Sequence, residues 1–149
     1  MRRSKPIARK RRVKRKRTGP AAELRERADK IWSARVLERD GYRCRRCGAI
    51  RYVQAHHVRS RQHWSTRWVL ENGLALCRGC HFGAHNHVEA DDRVWFYAQF
   101  GLDYGHLKTR SLQSAKGIDV ALHIVAMEQA AFREPPLPVF CAWGPPEVA

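Results

Sequence analysis

The chain is expected to fold as a small α+β domain around a Cys- and His-rich centre, flanked by helices on both sides. Cys44-x-x-Cys47 and Cys77-x-x-Cys80 form two thiolate pairs. Between them, "VQAHHVRSR" opens with a short apolar–polar alternation, which reads as a strand. Segments of helical periodicity lie outside the pairs, at 21–40 and 118–134. A length of 149 residues suits one such domain plus appendages.

Charge narrows the partners. The formal net charge is +15, which favours a polyanion, either nucleic acid or a membrane surface. No run of 18 apolar residues exists to span a bilayer, and the charged N-terminus lacks the apolar segment of a secretory signal. A cytoplasmic protein is therefore expected. Residues 1–20, "MRRSKPIARKRRVKRKRTGP", supply +11 with no acid, and residues 118–149 carry −3. The first twenty residues cannot bury an apolar surface and read as a disordered basic arm. Such an arm is either a solubilising tail or a mobile element lying along phosphates, where its contacts would be blind to sequence.

The elements follow in order. Residues 21–41 form a leading helix, with Leu24, Ala28, Ile31 and Ala34 at helical spacing and Gly41 as a stop. Residues 42–90 are the Cys- and His-rich core. Residues 91–134 hold C-terminal helices. The first of these is "DDRVWFYAQF", capped by Asp91 or Asp92, ended by Gly101 and contributing Trp95, Phe96, Tyr97 and Phe100 to a core or an interface. A later helix has Ile118, Leu122, Val125 and Phe132 on one face. Residues 135–149 are a Pro-rich tail in which Cys141 reads as a small apolar filler.

Two residues between cysteines let both sulfurs reach one tetrahedral ion at roughly 2.3 Å. In an intracellular chain, Cys44, Cys47, Cys77 and Cys80 thus predict a structural zinc more readily than disulfides or a redox pair. A core of this size buries too little apolar surface to fold unaided. Twenty-nine residues separate Cys47 from Cys77, more than a plain zinc ribbon needs, and they contain His56 and His57. Adjacent strand residues point to opposite faces, so the two imidazoles should diverge unless twist or a bulge turns one of them. His81 and His85 are four apart and share one helical face, where both can address a second ion.

The run "RDGYRCRRCG…VQAHHVRSR…TRWVLENGLALCRGCHFGAH" resembles the HNH endonucleases in their four-cysteine zinc form, closest to the phage and prophage type. The resemblance covers about residues 35–110 and implies a ββα-metal (His-Me finger) core. It implies that His57 is the general base, and that Asn72 pins the loop between strand and helix so that the base is oriented. It also implies that His81, His85 and His56 hold a catalytic metal, although His56 stands where many members have Asp. The implied activity is DNA phosphodiester hydrolysis, with phage packaging or recombination proteins as possible partners and RNA as an alternative substrate.

An unperturbed pKa near 6.5 would suit a histidine base at neutral pH. Imidazole ligands suit Zn²⁺, Ni²⁺, Mn²⁺ or Co²⁺ better than Mg²⁺, and the hydrolytic ion is left open among Mn²⁺, Mg²⁺, Ni²⁺ and Zn²⁺. Glu71 is either an added carboxylate or a solvated turn residue, and Gly73 is expected to supply a tight turn. Arg59, Arg61 and Arg67, with Trp64 and Trp68, read as a phosphate-clamping loop, or else as a solvated basic surface with tryptophans packed beneath. The rival to an enzyme is a non-catalytic zinc knuckle that binds nucleic acid. A zinc deaminase is disfavoured, because His87-x-Glu89 follows both cysteine pairs where that class needs it to precede one.

Overall fold

A computed structural model describes residues 19–86, 88, 92–132 and 138. The basic arm as far as residue 18, His87, Glu89, Asp91, Cys141 and nearly all of the Pro-rich tail lie outside the described residues.

Helix α1 spans Pro20–Arg39, with Pro20 at its first position, where a missing N–H costs nothing. It buries Ala28, Trp32 and Val36, with Leu24 and Ile31 partly buried and Ala34 exposed. The buried stripe therefore steps by four through Trp32, rather than through Ile31 and Ala34 as expected. The indole removes far more apolar surface from water than an alanine methyl can, and its Nε1 donates to the Val69 carbonyl at 2.9 Å. Beyond the helix, the Asp40 carboxylate is fully buried. It accepts from Arg39 and, at 2.8 Å, from the Ala75 N–H, and it pairs with Arg45 at 3.7 Å. One acid thus ties α1 to the first cysteine loop and to the sheet.

The sheet has two antiparallel strands among the described residues, β1 (Val53–His57) and β2 (Gly73–Cys77), in a register that pairs His57 with Gly73 and Val53 with Cys77. The connection contains a short helix, α2 (Trp64–Arg67), and a 3₁₀ turn, Leu70–Asn72. Helix α3 (Arg78–Asn86) follows β2 directly. Strand alternation divides the core in two. Leu74 and Leu76 pack with Phe96, Phe100 and Leu107, while Ala55 on the other face meets Trp32, Val36, Trp68, Ile124 and Met127.

Gly73 is in extended backbone, not a turn. A Cβ there would lie 2.3 Å from Val36 Cγ2 and 3.0 Å from Trp32 Cζ2, so glycine is present because α1 crosses the strand at backbone distance.

Three further helices follow among the described residues: α4 (Arg93–Ala98), α5 (Tyr104–Ser111) and α6 (Val120–Gln129). Asp92 stands at the α4 N-cap without a side-chain cap bond, and Gly101, at φ +71°, ends the segment after Phe100. Helix α5 was not foreseen; it is capped by Asp103, whose Oδ1 accepts from His106 N at 2.8 Å. Helix α6 buries Ile124 and Met127 against α1, while Leu122 and Val125 are exposed, so its inner face is not the one its periodicity suggested. Asp119 accepts from the Ala121 and Leu122 N–H groups and so fixes where the helix begins. No described helix is long and apolar enough to cross a membrane.

Candidate functional site

Cys44 and Cys47 come from a tight loop closed by a Cys44 N–H to Ala49 carbonyl bond of 2.8 Å. Cys77 ends β2 and Cys80 lies in the first turn of α3. All four sulfurs lie within 4.8 Å of one another, with Cys47 at 3.7 Å from Cys77 and 3.6 Å from Cys80. Sulfurs about 2.3 Å from one tetrahedral zinc stand about 3.8 Å apart, so the donor set fits that ion. The cysteine cluster brings together the loop at 44–49, the end of β2 and the start of α3.

A second cluster forms beside it. His56 projects from β1 toward α3 and is 1 % exposed, and its ring centroid is 4.9 Å from both His81 and His85. One ring nitrogen from each of these three residues falls within a common 4.8 Å. His56 Nε2 is bonded to the Tyr97 hydroxyl at 2.9 Å, whereas its Nδ1 is buried with no hydrogen-bond partner. A buried polar atom without a partner is costly, and a cation would satisfy it. Burial, and then the neighbouring imidazoles His81 and His85, hold His56 well below its ordinary pKa, and His81 is lowered by burial and then by His85. Neutral imidazoles are the form that binds a metal. Glu71 is exposed and stands outside this cluster.

His57 takes the other face of β1, as strand geometry requires. Its ring stacks on Trp32, with centroids 3.7 Å apart and planes inclined by 13°. Its Nε2 is 3.0 Å from the Arg67 carbonyl, so that nitrogen carries the proton and donates, leaving the lone pair on Nδ1. Burial depresses its pKa to about 4, well under the 6.5 expected of a free imidazole. His57 is therefore neutral at pH 7 but a weaker proton acceptor than the sequence suggested.

Asn72 is fully buried and braces the segment between the two strands, including the loop that runs from β1 to α2. Its Oδ1 accepts from the Arg59 N–H at 2.7 Å, and its Nδ2 donates to the Arg59 and Thr66 carbonyls at 3.0 Å each. Thr66 precedes Arg67, so the asparagine holds the stretch of backbone whose next carbonyl orients His57.

A cleft of about 430 Å³ opens over these groups, lined by His56, His57, His81, His85, Arg61, Arg93 and Tyr97, among others. The three sequence-named arginines divide. Arg61 is exposed and lines the cleft. Arg59 instead reaches away to the Tyr104 hydroxyl at 2.8 Å and Ser111 Oγ at 3.2 Å. Arg67 forms a two-pronged pair with Asp29, at 2.9 and 2.6 Å. Burial alone would raise the Asp29 pKa, but hydrogen bonds from Arg67 and Trp68 outweigh it and hold the carboxyl below its ordinary value. The two guanidiniums thus tie the loop to α5 and to α1. Trp68 is buried between α1 and α6, and Trp64 lies edge-on to it at 5.5 Å.

The residues that motif reading missed are Trp32, Asp29, Arg93 and Tyr97. They belong to helices outside the Cys–His segment, and only the i, i+4 spacing of Arg93 and Tyr97 hinted that both face one way. Compared with protein-family models, with curated proteins and with solved structures, the chain matches none.

Proposed function

We propose that this chain is a metal-dependent endonuclease of the HNH type that hydrolyses DNA phosphodiester bonds. The observation that supports it most is the convergence of His56, His81 and His85 at one cleft that His57, the next residue along β1, also lines. The sequence resemblance assigns roles to those same four histidines and to Asn72.

His57 Nδ1 is the proton acceptor, because Nε2 is committed to the Arg67 carbonyl. It takes a proton from water as that water attacks phosphorus. Asn72 and the Trp32 ring hold the imidazole in position, and Asn72 does so through the backbone at Thr66 and Arg67. Arg61 and Arg93 set positive charge in the cleft against the phosphate. A divalent cation held by His56, His81 and His85 would supply stabilisation of the charge growing on the phosphate and on the leaving 3′ oxygen. General-base help is worth about 10²–10⁴-fold, so charge stabilisation has to supply most of the remainder. The Lys- and Arg-rich arm adds sequence-blind phosphate contacts whose strength falls with salt.

The test is relaxation of supercoiled plasmid by protein whose cysteine zinc is intact. Cleavage should appear with Mn²⁺ or Ni²⁺, stop in EDTA, return on adding either ion back and be absent from His81→Ala. DNA binding with no cleavage under any ion would overturn the proposal in favour of a non-catalytic zinc-knuckle protein.

A further inference from the structure

The three imidazoles are held differently. His81 and His85 come from one helix, whereas His56 is presented from a strand and is almost wholly buried. A ring in that setting binds a cation well only if the correct nitrogen bears the lone pair. The residue touching its other nitrogen is Tyr97, on α4, beyond the Cys–His segment.

We propose that Tyr97 is a positioning residue for the imidazole cluster: its hydroxyl accepts the Nε2–H of His56 and so keeps the lone pair on Nδ1, the nitrogen left without a protein partner, for a cation shared with His81 and His85. The alternative tautomer would bury an Nδ1–H with nothing to accept it, and orphaned buried N–H groups are rare because they are costly. Tyr97 is itself fixed. It is 3 % exposed, packs edge-on against Phe96 and stacks on Tyr104 with centroids 5.5 Å apart and planes inclined by 12°. Tyr104 is braced in turn by the Arg59 guanidinium. This gives Arg59 a role away from nucleic acid, as one support of the aromatic stack behind His56. Outer partners of this type commonly change metal affinity by about 10–100-fold when removed.

The inference rests on the reading of His56, His81 and His85 as a cation site, and two measurements separate the two ideas. Nitrogen-15 NMR of the zinc-loaded wild type, with the imidazoles free of metal, reads the His56 tautomer without any variant. The Nε2–H form is expected, and an Nδ1–H form would overturn the Tyr97 assignment whatever the site binds. Calorimetric titration with Ni²⁺ then compares wild type, Tyr97→Phe, His56→Ala and the double variant. Tyr97→Phe should weaken Ni²⁺ binding about 10–100-fold, and it should do nothing further in the His56→Ala background. Equal weakening in both backgrounds would reduce Tyr97 to a packing residue. Absence of Ni²⁺ binding by the wild type would overturn the cation site itself, while leaving the tautomer result to stand or fall separately.

Discussion

Substituting Gly73 by alanine is the sharpest way to test how α1 and the sheet jointly hold the site. The added Cβ would sit 2.3 Å from Val36 Cγ2 and 3.0 Å from Trp32 Cζ2. Ordinary carbon–carbon contact begins near 3.5 Å, so α1 has to retreat by roughly 1 Å or its side chains must leave their wells. Val36 is fully buried and stiff about χ1, which removes the easy escape. Overpacking of this kind costs about 1–3 kcal/mol, and the severity of the overlap points to the upper end. At roughly 4 °C per kcal/mol, a loss of about 10 °C in Tm is expected, measured at fixed free zinc. Val36→Ala alone should cost about 2 kcal/mol through its cavity. Together the two changes should cost less than their sum, because the two methyls removed from Val36 make room for the one added, with a coupling of about 1 kcal/mol or more. Simple additivity, or an unchanged Tm for Gly73→Ala, would refute the close approach. The retreat of α1 would also move Trp32 off His57, so the single variant should lose cleavage and the double variant should regain part of it.

Other outcomes follow from the same contacts. Asn72→Ala strands the part-buried Arg59 N–H and takes one donor from the Thr66 carbonyl; denaturant unfolding should show a loss of about 2 kcal/mol, with cleavage falling further than stability accounts for. His57 has its folded pKa depressed to about 4 against 6.5 unfolded, so the unfolded chain binds more protons between those values. Stability from this group is full above about pH 6.5 and is lost as pH falls toward 4, by up to roughly 3 kcal/mol, and His56 adds in the same direction. For the same reason the acid limb of kcat/KM should lie well below pH 6.5, and a limb at 6.5 would contradict the burial of His57. The cysteine cluster fits zinc, so a strong chelator should unfold the sheet and α3 together, seen as lost near-ultraviolet dichroism with the four clustered thiols newly reactive.

How much was legible in the sequence depended on whether a residue's partner lay nearby in the chain. The two CxxC pairs announced their shared cluster because ligand chemistry fixes the spacing whatever the fold. His81 and His85 did so because helical pitch brings i and i+4 together. The opposed directions of His56 and His57 followed from the pleat alone. Long-range packing was not legible. Gly73 looked like a turn because nothing local reveals a helix crossing at 2.3 Å from where a Cβ would stand. The bonds of Arg59 and Arg67 to Tyr104 and Asp29 had no local signal, because those partners lie 45 and 38 residues away. The inner faces of α1 and α6 were misjudged because periodicity offers several apolar stripes, and only their mutual packing selects Trp32 with Ile124 and Met127. Tyr97 read correctly as buried, but its hydroxyl's partner lies 41 residues earlier.

The most direct measurement is a side-by-side assay of zinc-loaded wild type and His57→Ala on supercoiled DNA with Mn²⁺ present, recording strand cleavage and DNA retention from the same samples. Wild-type protein should nick the plasmid while the alanine variant, folded and equally retained on DNA, fails to do so. Equal cleavage by the two proteins would contradict the assignment of His57 as the group that activates water.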